Sequence, residues 1–306
     1  MSIDHIGRIL VAVSDPSASR QKAIRRAAAL ASSTGATVEL FNAIPSTLSS
    51  GIAHAEAEQF TRYAADQSLR QLERTANRLR REDIVVETTV QTGFPVHQAI
   101  LRQAKQTKAD LVVIEAHKHN LFARLLLTQT DFELIRHCPV PLLIVKGTAA
   151  WRHPRILAAL DPFHANDKPS ALDGEIIAAA HALGKAVHGV VHAAHVYQSL
   201  PGTILPMPVA PTVVAANPAE EKAYRTAMRR RFNEAADRHQ IARPRAHLVC
   251  GDAAVQLPRL ARSLHAGLVV MGAASRSGLK RIFIGNTAER VLDSLPCDVL
   301  VVKAPV

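Results

Sequence analysis

The sequence predicts an α/β protein built from two tandem, doubly wound parallel five-stranded sheets. Segments repeat at domain length, because 8–16 (RILVAVSDP) parallels 155–162 (RILAALDP) and 138–146 parallels 295–303. A repeat of about 150 residues is too long for a solenoid unit and fits two copies of one domain. Within each copy, apolar runs alternate with helical stretches, which is typical of a parallel sheet covered on both faces.

Five short runs rich in β-branched residues give the strands of each copy. In the first copy we expect strands near 8–13, 37–44, 84–91, 110–115 and 141–146. In the second copy we expect them near 155–160, 186–197, 244–250, 267–272 and 298–303. Stretches rich in Ala, Leu and Arg separate the strands and predict helices, so the order is βαβα throughout. The predicted domains are residues 1–148 and 152–306.

Composition agrees with two folded domains in a reducing compartment. The chain has 306 residues, of which 48% are hydrophobic and 4% aromatic, and this suits aliphatic sheet packing. Cys138, Cys250 and Cys297 are odd in number and form no CxxC pair, so a disulfide framework is not expected. The first residues lack the apolar core and cleavage pattern of a signal peptide. We therefore expect a cytoplasmic protein.

The stretch from Ala186 to Ala219 carries no charged side chain, but its prolines exclude a membrane-spanning helix. We expect no membrane insertion, and a strand followed by a long loop at 198–214. This loop is unusually apolar. It either packs across the other copy or forms a lid or groove for an apolar, lipid-like ligand, and the sequence favours packing.

Residues 269–290 contain the best indication of function. A buried-looking strand breaks at Gly272, crosses a loop that contains Arg276, Lys280 and Arg281, and enters a helix near Gly285. The backbone N–H groups at a helix start have no partner inside the helix, and together with the helix dipole they favour anionic oxygens. The segment therefore predicts a phosphate-binding, nucleotide-type loop.

The spacing of this loop resembles that of the universal stress protein family, which is Gly, two residues, Gly, nine residues, Gly, then Ser or Thr. Gly272 and Gly285 match the outer glycines, whereas Ser275 replaces the middle glycine and Asn286 the final hydroxyl residue. The run 285–289 (GNTAE) is similar to one in tandem members of the E-type subgroup. The resemblance covers nearly the whole chain.

The resemblance implies a stress-response module that binds an adenine nucleotide, ATP, ADP or AMP, in its second copy. Asp161 matches the acid that hydrogen-bonds the adenine or its neighbouring backbone, and Val196 matches a residue that contacts the base. The implied ribose and phosphate cradle consists of Gly272, Ser275, Gly285, Asn286 and Thr287.

The first copy departs from this pattern. At an offset of 157 residues, the cradle positions carry Glu115, Lys118, Thr128 and Gln129. The cradle glycines are absent, and Glu115 would repel a phosphate. We therefore expect one nucleotide per chain.

Enzyme signatures are weak. The sequence has no GxSxG elbow, HExxH helix or Walker loop, and no carboxylate pair at an acid/base spacing. We expect a binding module with at most slow ATP hydrolysis. The rival hypothesis is a weak ATPase or a hydrolase that produces AMP.

Metal and nucleic acid are the other ligand classes to consider. Glu115, His117, His119 and His137 lack the ligand set of a zinc site, so metal binding is not expected. The net charge of +11 rests largely on arginines of two helices, near 62–81 and 225–238. Weak, nonspecific nucleic-acid binding therefore stays open as an alternative.

Single-domain family members dimerise along their last strands. The resemblance thus implies an intrachain pseudo-dimer in which Leu142–Val145 lies beside Val299–Val302, covering two apolar edges. Whether chains associate further is left open.

Overall fold

A computed structural model describes residues 5–45, 53–93, 95–116, 127–163, 171–200, 203–205, 212–214, 217–273 and 286–304. For residues 53–56, 203–205, 212–214 and 286 only the backbone is described.

The first half alternates strands and helices from its start. In chain order these are β1 (Arg8–Ala12), α1 (Lys22–Thr34), β2 (Thr37–Ile44), α2 (Ala53–Arg80), β3 (Val86–Thr92), α3 (Val96–Gln106), β4 (Leu111–Glu115), α4 (Gln129–His137) and β5 (Leu142–Val145).

The second half repeats this order with one addition, a pair of short strands after its second long strand. Its elements are β6 (Arg155–Ala159), α5 (Ala171–Ala186), β7 (Val190–Tyr197), β8 (Thr203–Leu205), β9 (Thr212–Val214), α6 (Pro218–Arg238), a 3₁₀ turn (Arg243–Arg245), β10 (Ala246–Cys250), α7 (Ala253–Ser263), β11 (Ala266–Ala273), α8 (Asn286–Ser294) and β12 (Asp298–Lys303).

The two halves share one ten-stranded sheet, in the order β10-β7-β6-β11-β12-β5-β4-β1-β2-β3. In this sheet, neighbouring strands within each half are parallel, and the junction between the halves, β5 with β12, is antiparallel. The predicted fold class is therefore confirmed, and the two predicted sheets are continuous across the junction.

Each face of the sheet is covered by helices. Side chains of α1, α2, α5 and α6 pack on one face, and those of α3, α4, α7 and α8 pack on the other. Successive strand residues alternate between the faces, as Ile9 and Val11 join the first cluster while Leu10 joins the second. This two-sided burial explains why the strands are apolar without interruption. In the described part of the chain, no helix combines the length and apolar character needed to cross a membrane.

The junction between the halves confirms the predicted pseudo-dimer. Val299 pairs with Ile144, and Leu300 pairs with Leu143. Both β5 and β12 are buried, so each half covers the edge strand of the other.

Two expectations for the second half were wrong. The strand predicted from residue 186 begins at Val190, because α5 continues to Ala186 and His188 adopts a φ of 51° in a turn. The predicted loop at 198–214 contains the antiparallel pair β8–β9. The side chains of residues 201–214 lie outside the described residues, so the two interpretations of the apolar loop, packing or ligand binding, stay predictions.

Candidate nucleotide-binding site

Three of the predicted site residues lie at the carboxyl ends of the second-half strands. Asp161 follows β6, Val196 lies near the end of β7, and Gly272 lies near the end of β11. Because β6 pairs with both β7 and β11, the chain reverses its strand order at β6. Ligands of doubly wound sheets bind at such a switch point. Asp161 and Gly272 thus lie at the carboxyl ends of the two strands that border the crevice.

Asp161 presents a buried acceptor atom. Its backbone N–H donates to Oδ1 of Asp173 at 3.1 Å, which ties the end of β6 to the first turn of α5. Its carboxylate Oδ1 is shielded from solvent and has no hydrogen-bond partner among the described residues. A buried carboxylate oxygen without a donor is destabilising by about 1–3 kcal/mol, and a ligand N–H group would remove this penalty.

His195, which the sequence analysis did not assign to the site, lies next to Asp161. Its Nδ1 is 2.9 Å from the carbonyl oxygen of Leu160 and 4.0 Å from Oδ1 of Asp161. A carbonyl oxygen only accepts, so Nδ1 carries the proton and directs it to the backbone. The ring is buried and lies 4.9 Å from the ring of Phe163. His195 therefore helps to fix the backbone that carries Asp161.

Val196 faces the opposite side of the sheet from His195. It is half-buried, pairs with Val249 of β10, and packs against the apolar cluster beneath α7 and α8. The partly exposed isopropyl group provides an apolar surface at the end of β7, as contact with a base requires.

Gly272 has a packing role that the sequence did not indicate. A Cβ atom on Gly272 would lie 2.6 Å from Cδ2 of Leu172, which is fully buried in the first turn of α5. A side chain at this position would push α5 away from β11. The glycine is thus explained by the close approach of α5, whatever its part in phosphate binding.

The remaining cradle residues are described only in part. Ser275 and Gly285 lie outside the described residues, as do Arg276, Lys280 and Arg281. Asn286 is the first residue of α8, and Thr287 is exposed in its first turn.

In the first half, Glu115 occupies the position equivalent to Gly272. Its Oε2 accepts from the backbone N–H of Lys22 at 2.7 Å and of Ala23 at 3.3 Å, the first residues of α1. Its Oε1 lies 3.3 Å from Nζ of Lys22. Helix α1 has no acidic residue in its first turn, so Glu115 supplies the negative charge at its start.

The start of α4 is also capped by the protein itself. Thr128 Oγ1 accepts from the backbone N–H of Asp131 at 3.2 Å, and Oδ2 of Asp131 accepts from the N–H of Thr128 at 2.7 Å. This is a capping box. The equivalent positions in the second half are Gly285 and Ala288, which have no side-chain oxygen to form one. The two halves therefore differ at both helix starts.

A comparison of the sequence with known protein families divides the chain into the same two halves. The model of the Universal stress protein family matches residues 5–146 and 154–303. The chain belongs to this family. It is a tandem member, since the family domain is matched twice.

The curated relatives include several universal stress proteins E. The chain is 25% identical to universal stress protein E of Photorhabdus laumondii over 303 residues, covering 96% of this chain and 94% of the relative. It is 30% identical to universal stress protein E of Escherichia coli K12 over 218 residues, covering 67% of this chain and 64% of the relative. The aligned part thus spans somewhat less than two thirds of that relative.

Solved structures share the whole fold. A functionally unknown protein from Pseudomonas aeruginosa PAO1 has a TM-score of 0.76 at 25% identity, covering 98% of this chain and 94% of the other. A universal stress protein from Archaeoglobus fulgidus has a TM-score of 0.68 at 17% identity, covering 97% and 98%. Both cover the two universal stress protein domains together.

Two histidines of neighbouring strands form a pair. Nδ1 of His192 in β7 lies 2.9 Å from Nε2 of His247 in β10. Burial, reinforced by His247 and by nearby arginines, lowers the pKa of His192 to about 4. The pair lies away from the carboxyl ends of the strands.

The residues considered for metal and nucleic-acid binding lie only partly within the described ranges. Within the described ranges, no group of three or more His, Cys, Asp or Glu side chains could hold a metal ion. His117 and His119 lie outside those ranges. The arginines of the two predicted helices are exposed to solvent, namely Arg62, Arg70, Arg74, Arg78, Arg80, Arg81, Arg225, Arg229, Arg230, Arg231 and Arg238.

Proposed function

We propose that this tandem universal stress protein is a stress-response module that binds one adenine nucleotide, ATP, ADP or AMP, in its second half. The observation that carries the proposal is the buried Oδ1 of Asp161, which has no donor among the described residues. The exocyclic amine of adenine is a hydrogen-bond donor and suits such an acceptor. Asp161 stands where the family resemblance puts the adenine-binding acid.

The difference between the halves supports a single nucleotide. In the first half, Glu115 lies at the start of α1 and Asp131 at the start of α4, so carboxylates occupy both helix starts. A phosphate there would meet negative charge and amides that are already bonded. In the second half, the equivalent residues are Gly272 and Ala288, and the acidic residues in the first turns of α5 and α8, Asp173 and Glu289, lie at other positions.

Titration calorimetry of the full chain with ATP tests this assignment. We expect one site per chain, and Asp161→Ala should weaken binding about tenfold, as loss of a hydrogen bond to a charged acceptor predicts. The matched control is Asp15→Ala, the aspartate of the corresponding Asp-Pro pair in the first half, which should leave the affinity within about twofold. Two equivalent sites, or unchanged binding by Asp161→Ala, would contradict the proposal.

Hydrolysis is a separate question, because recognition of the nucleotide is the simpler role for Asp161. We expect bound nucleotide to persist with at most slow turnover. A time course with labelled ATP, compared between wild type and Asp161→Ala, separates a binding module from a weak ATPase. Turnover that disappears with the substitution would favour the enzyme.

A further inference from the structure

A large cavity lies where the two halves meet, beside the amino ends of the second-half strands. The proposed nucleotide site lies at the opposite, carboxyl ends of these strands. The volume of the cavity is about 1050 Å³. The walls come from the beginning of α1, the connecting segment 147–155, the end of α7, and the residues that lead into β11 and β12. Since β5 and β12 are antiparallel, the carboxyl end of the first half lies beside the amino ends of the second-half strands.

The cavity is strongly basic. Seven lysine and arginine side chains line it, and no carboxylate does so among its described lining residues. The seven are Arg20, Lys22, Arg26, Lys146, Arg152, Arg155 and Arg262. His153 and His265 add two groups that become cationic when protonated.

Several of these cations already have partners that fix the walls. Nζ of Lys22 is paired with Glu115 at 3.3 Å, and Nη1 of Arg155 donates to the carbonyl oxygen of Leu264 at 2.7 Å. The ammonium group of Lys146 is buried and donates to backbone carbonyls at the end of α8. These side chains contribute positive potential without being free to move.

Three other cations are exposed and have no hydrogen bond or ion pair with any described residue: Arg20, Arg152 and Arg262. They come from three different parts of the wall, which are the approach to α1, the connecting segment and the last turn of α7. Guanidinium groups that reach a ligand from several sides suit the oxygens of a phosphate group better than they suit a ligand with a flat surface.

Arg26 provides the buried floor of the cavity. It is only 6% exposed, forms an ion pair of 2.6 Å with the fully buried Asp298, and stacks over the ring of Trp151 with Cζ 4.2 Å from the centroid. Its Nη2 donates to the carbonyl oxygen of Ala149 at 3.0 Å. Its Nε has no acceptor among the described residues. A buried donor without an acceptor favours an anionic oxygen close to it.

We propose that this cavity binds a compact polyanion, a small molecule that carries at least two phosphate groups. The volume lies near the upper end of small-molecule pockets, which is about 1,000 Å³. A nucleic acid is less well matched, because single-stranded binders present open aromatic faces for stacking. Trp151 is the one aromatic side chain in the described lining apart from histidines, and Arg26 covers a face of it.

This site is separate from the proposed nucleotide site. Gly267 lines the cavity and Gly272 borders the switch-point crevice, and both belong to β11. Five residues of parallel strand separate them by about 17 Å. The ends of β1, β2 and β4, which would form the equivalent crevice of the first half, are also absent from the described lining. The inference therefore goes beyond the proposed function and does not depend on it.

The fluorescence of Trp151 gives a direct test, because it is the only tryptophan in the chain. The full chain is titrated with sodium tripolyphosphate at constant ionic strength. We expect a saturable change in emission with one site per chain. The double substitution Arg152→Ser and Arg262→Ser should raise the Kd at least about tenfold, as loss of two phosphate contacts predicts.

The control removes the same charge elsewhere. Arg229→Ser with Arg230→Ser on the exposed face of α6 should leave the Kd within about twofold, and so should Asp161→Ala. Equal weakening by the two arginine pairs would overturn the proposal, since it would show only general attraction between charges. An absence of saturation would overturn it too, as would displacement of tripolyphosphate by a tighter-binding single-stranded oligonucleotide.

Discussion

Nζ of Lys303 donates a hydrogen bond of 2.6 Å to the carbonyl oxygen of Cys138, and this bond joins the end of the second half to the end of the last helix of the first. Lys146, 157 residues earlier, makes the reciprocal contact with the carbonyl oxygen of Leu295 at 3.4 Å. The last carbonyls of a helix have no partner within it, and a cation there is favourable. Each half thus caps the final helix of the other.

Replacing Lys303 with Met should weaken the junction. The substitution keeps the aliphatic stem but leaves the carbonyl oxygens of Arg136 and Cys138 without their donor. We expect a loss of about 1–3 kcal/mol in the free energy of unfolding. Urea denaturation at pH 7 measures it, with the exposed Lys222→Met as control. Equal midpoints for the two variants would show that the bond contributes nothing.

Gly272→Ala should destabilise the protein through Leu172. The added methyl group would lie 2.6 Å from Cδ2 of Leu172, and we expect a loss of about 1–3 kcal/mol from overpacking. In a Leu172→Ala background the same change should have little effect, because the obstructing atoms are gone. The measurement is a double-mutant cycle by thermal or urea unfolding. An equal loss in both backgrounds would refute the packing role.

Glu115→Ala should loosen the start of α1. The carboxylate accepts from two backbone N–H groups there, and Gln21 at the N-cap forms no side-chain hydrogen bond to replace it. We expect a loss of about 1–2 kcal/mol, as for other helix caps. Hydrogen exchange of the first amides of α1 should become faster. The exposed Glu82→Ala serves as the control, and unchanged exchange in Glu115→Ala would contradict the capping role.

Acid should destabilise the wild type through His192. Burial and its neighbours hold the pKa of this imidazole near 4 in the folded protein, below its ordinary value of 6.5. The folded state thus resists protonation, and stability that is fully present above pH 6.5 is lost as the pH falls toward 4. Relative to His192→Gln, the wild type should lose about 2 kcal/mol between pH 7 and pH 4.5. Parallel stability profiles for the two proteins would disprove the effect.

The sequence predicted the layers because they depend on local apolar patterns, whereas the junction was implied by the family resemblance. β-branched runs placed the strands, and the apolar character of Leu142–Val145 and Val299–Val302 agreed with their pairing. The short strands β8 and β9 were missed because their loop is rich in proline. The start of β7 was misplaced because only His188 and Gly189 separate the apolar residues at the end of α5, Ala186 and Val187, from Val190 and Val191 of β7.

The site was predicted less completely than the fold, since its contacts join distant parts of the chain. Gly272 was assigned to phosphate from its spacing, but its contact with Leu172 depends on how closely α5 approaches β11. The pairing of His192 with His247 follows from the register of β7 with β10, which no local pattern reveals. Glu115 was expected only to repel phosphate, and its contact with α1 depends on the position of a helix 93 residues away.

The antiparallel contact of β5 with β12 has a further consequence for how the two halves change over time. A dimer of separate, identical subunits must keep every substitution on both sides, because one gene encodes them. Here the two partners are covalently joined, so the association is unimolecular and does not weaken on dilution. One half can therefore exchange its ligand-binding residues for internal carboxylates and still cover the edge strand of the other half.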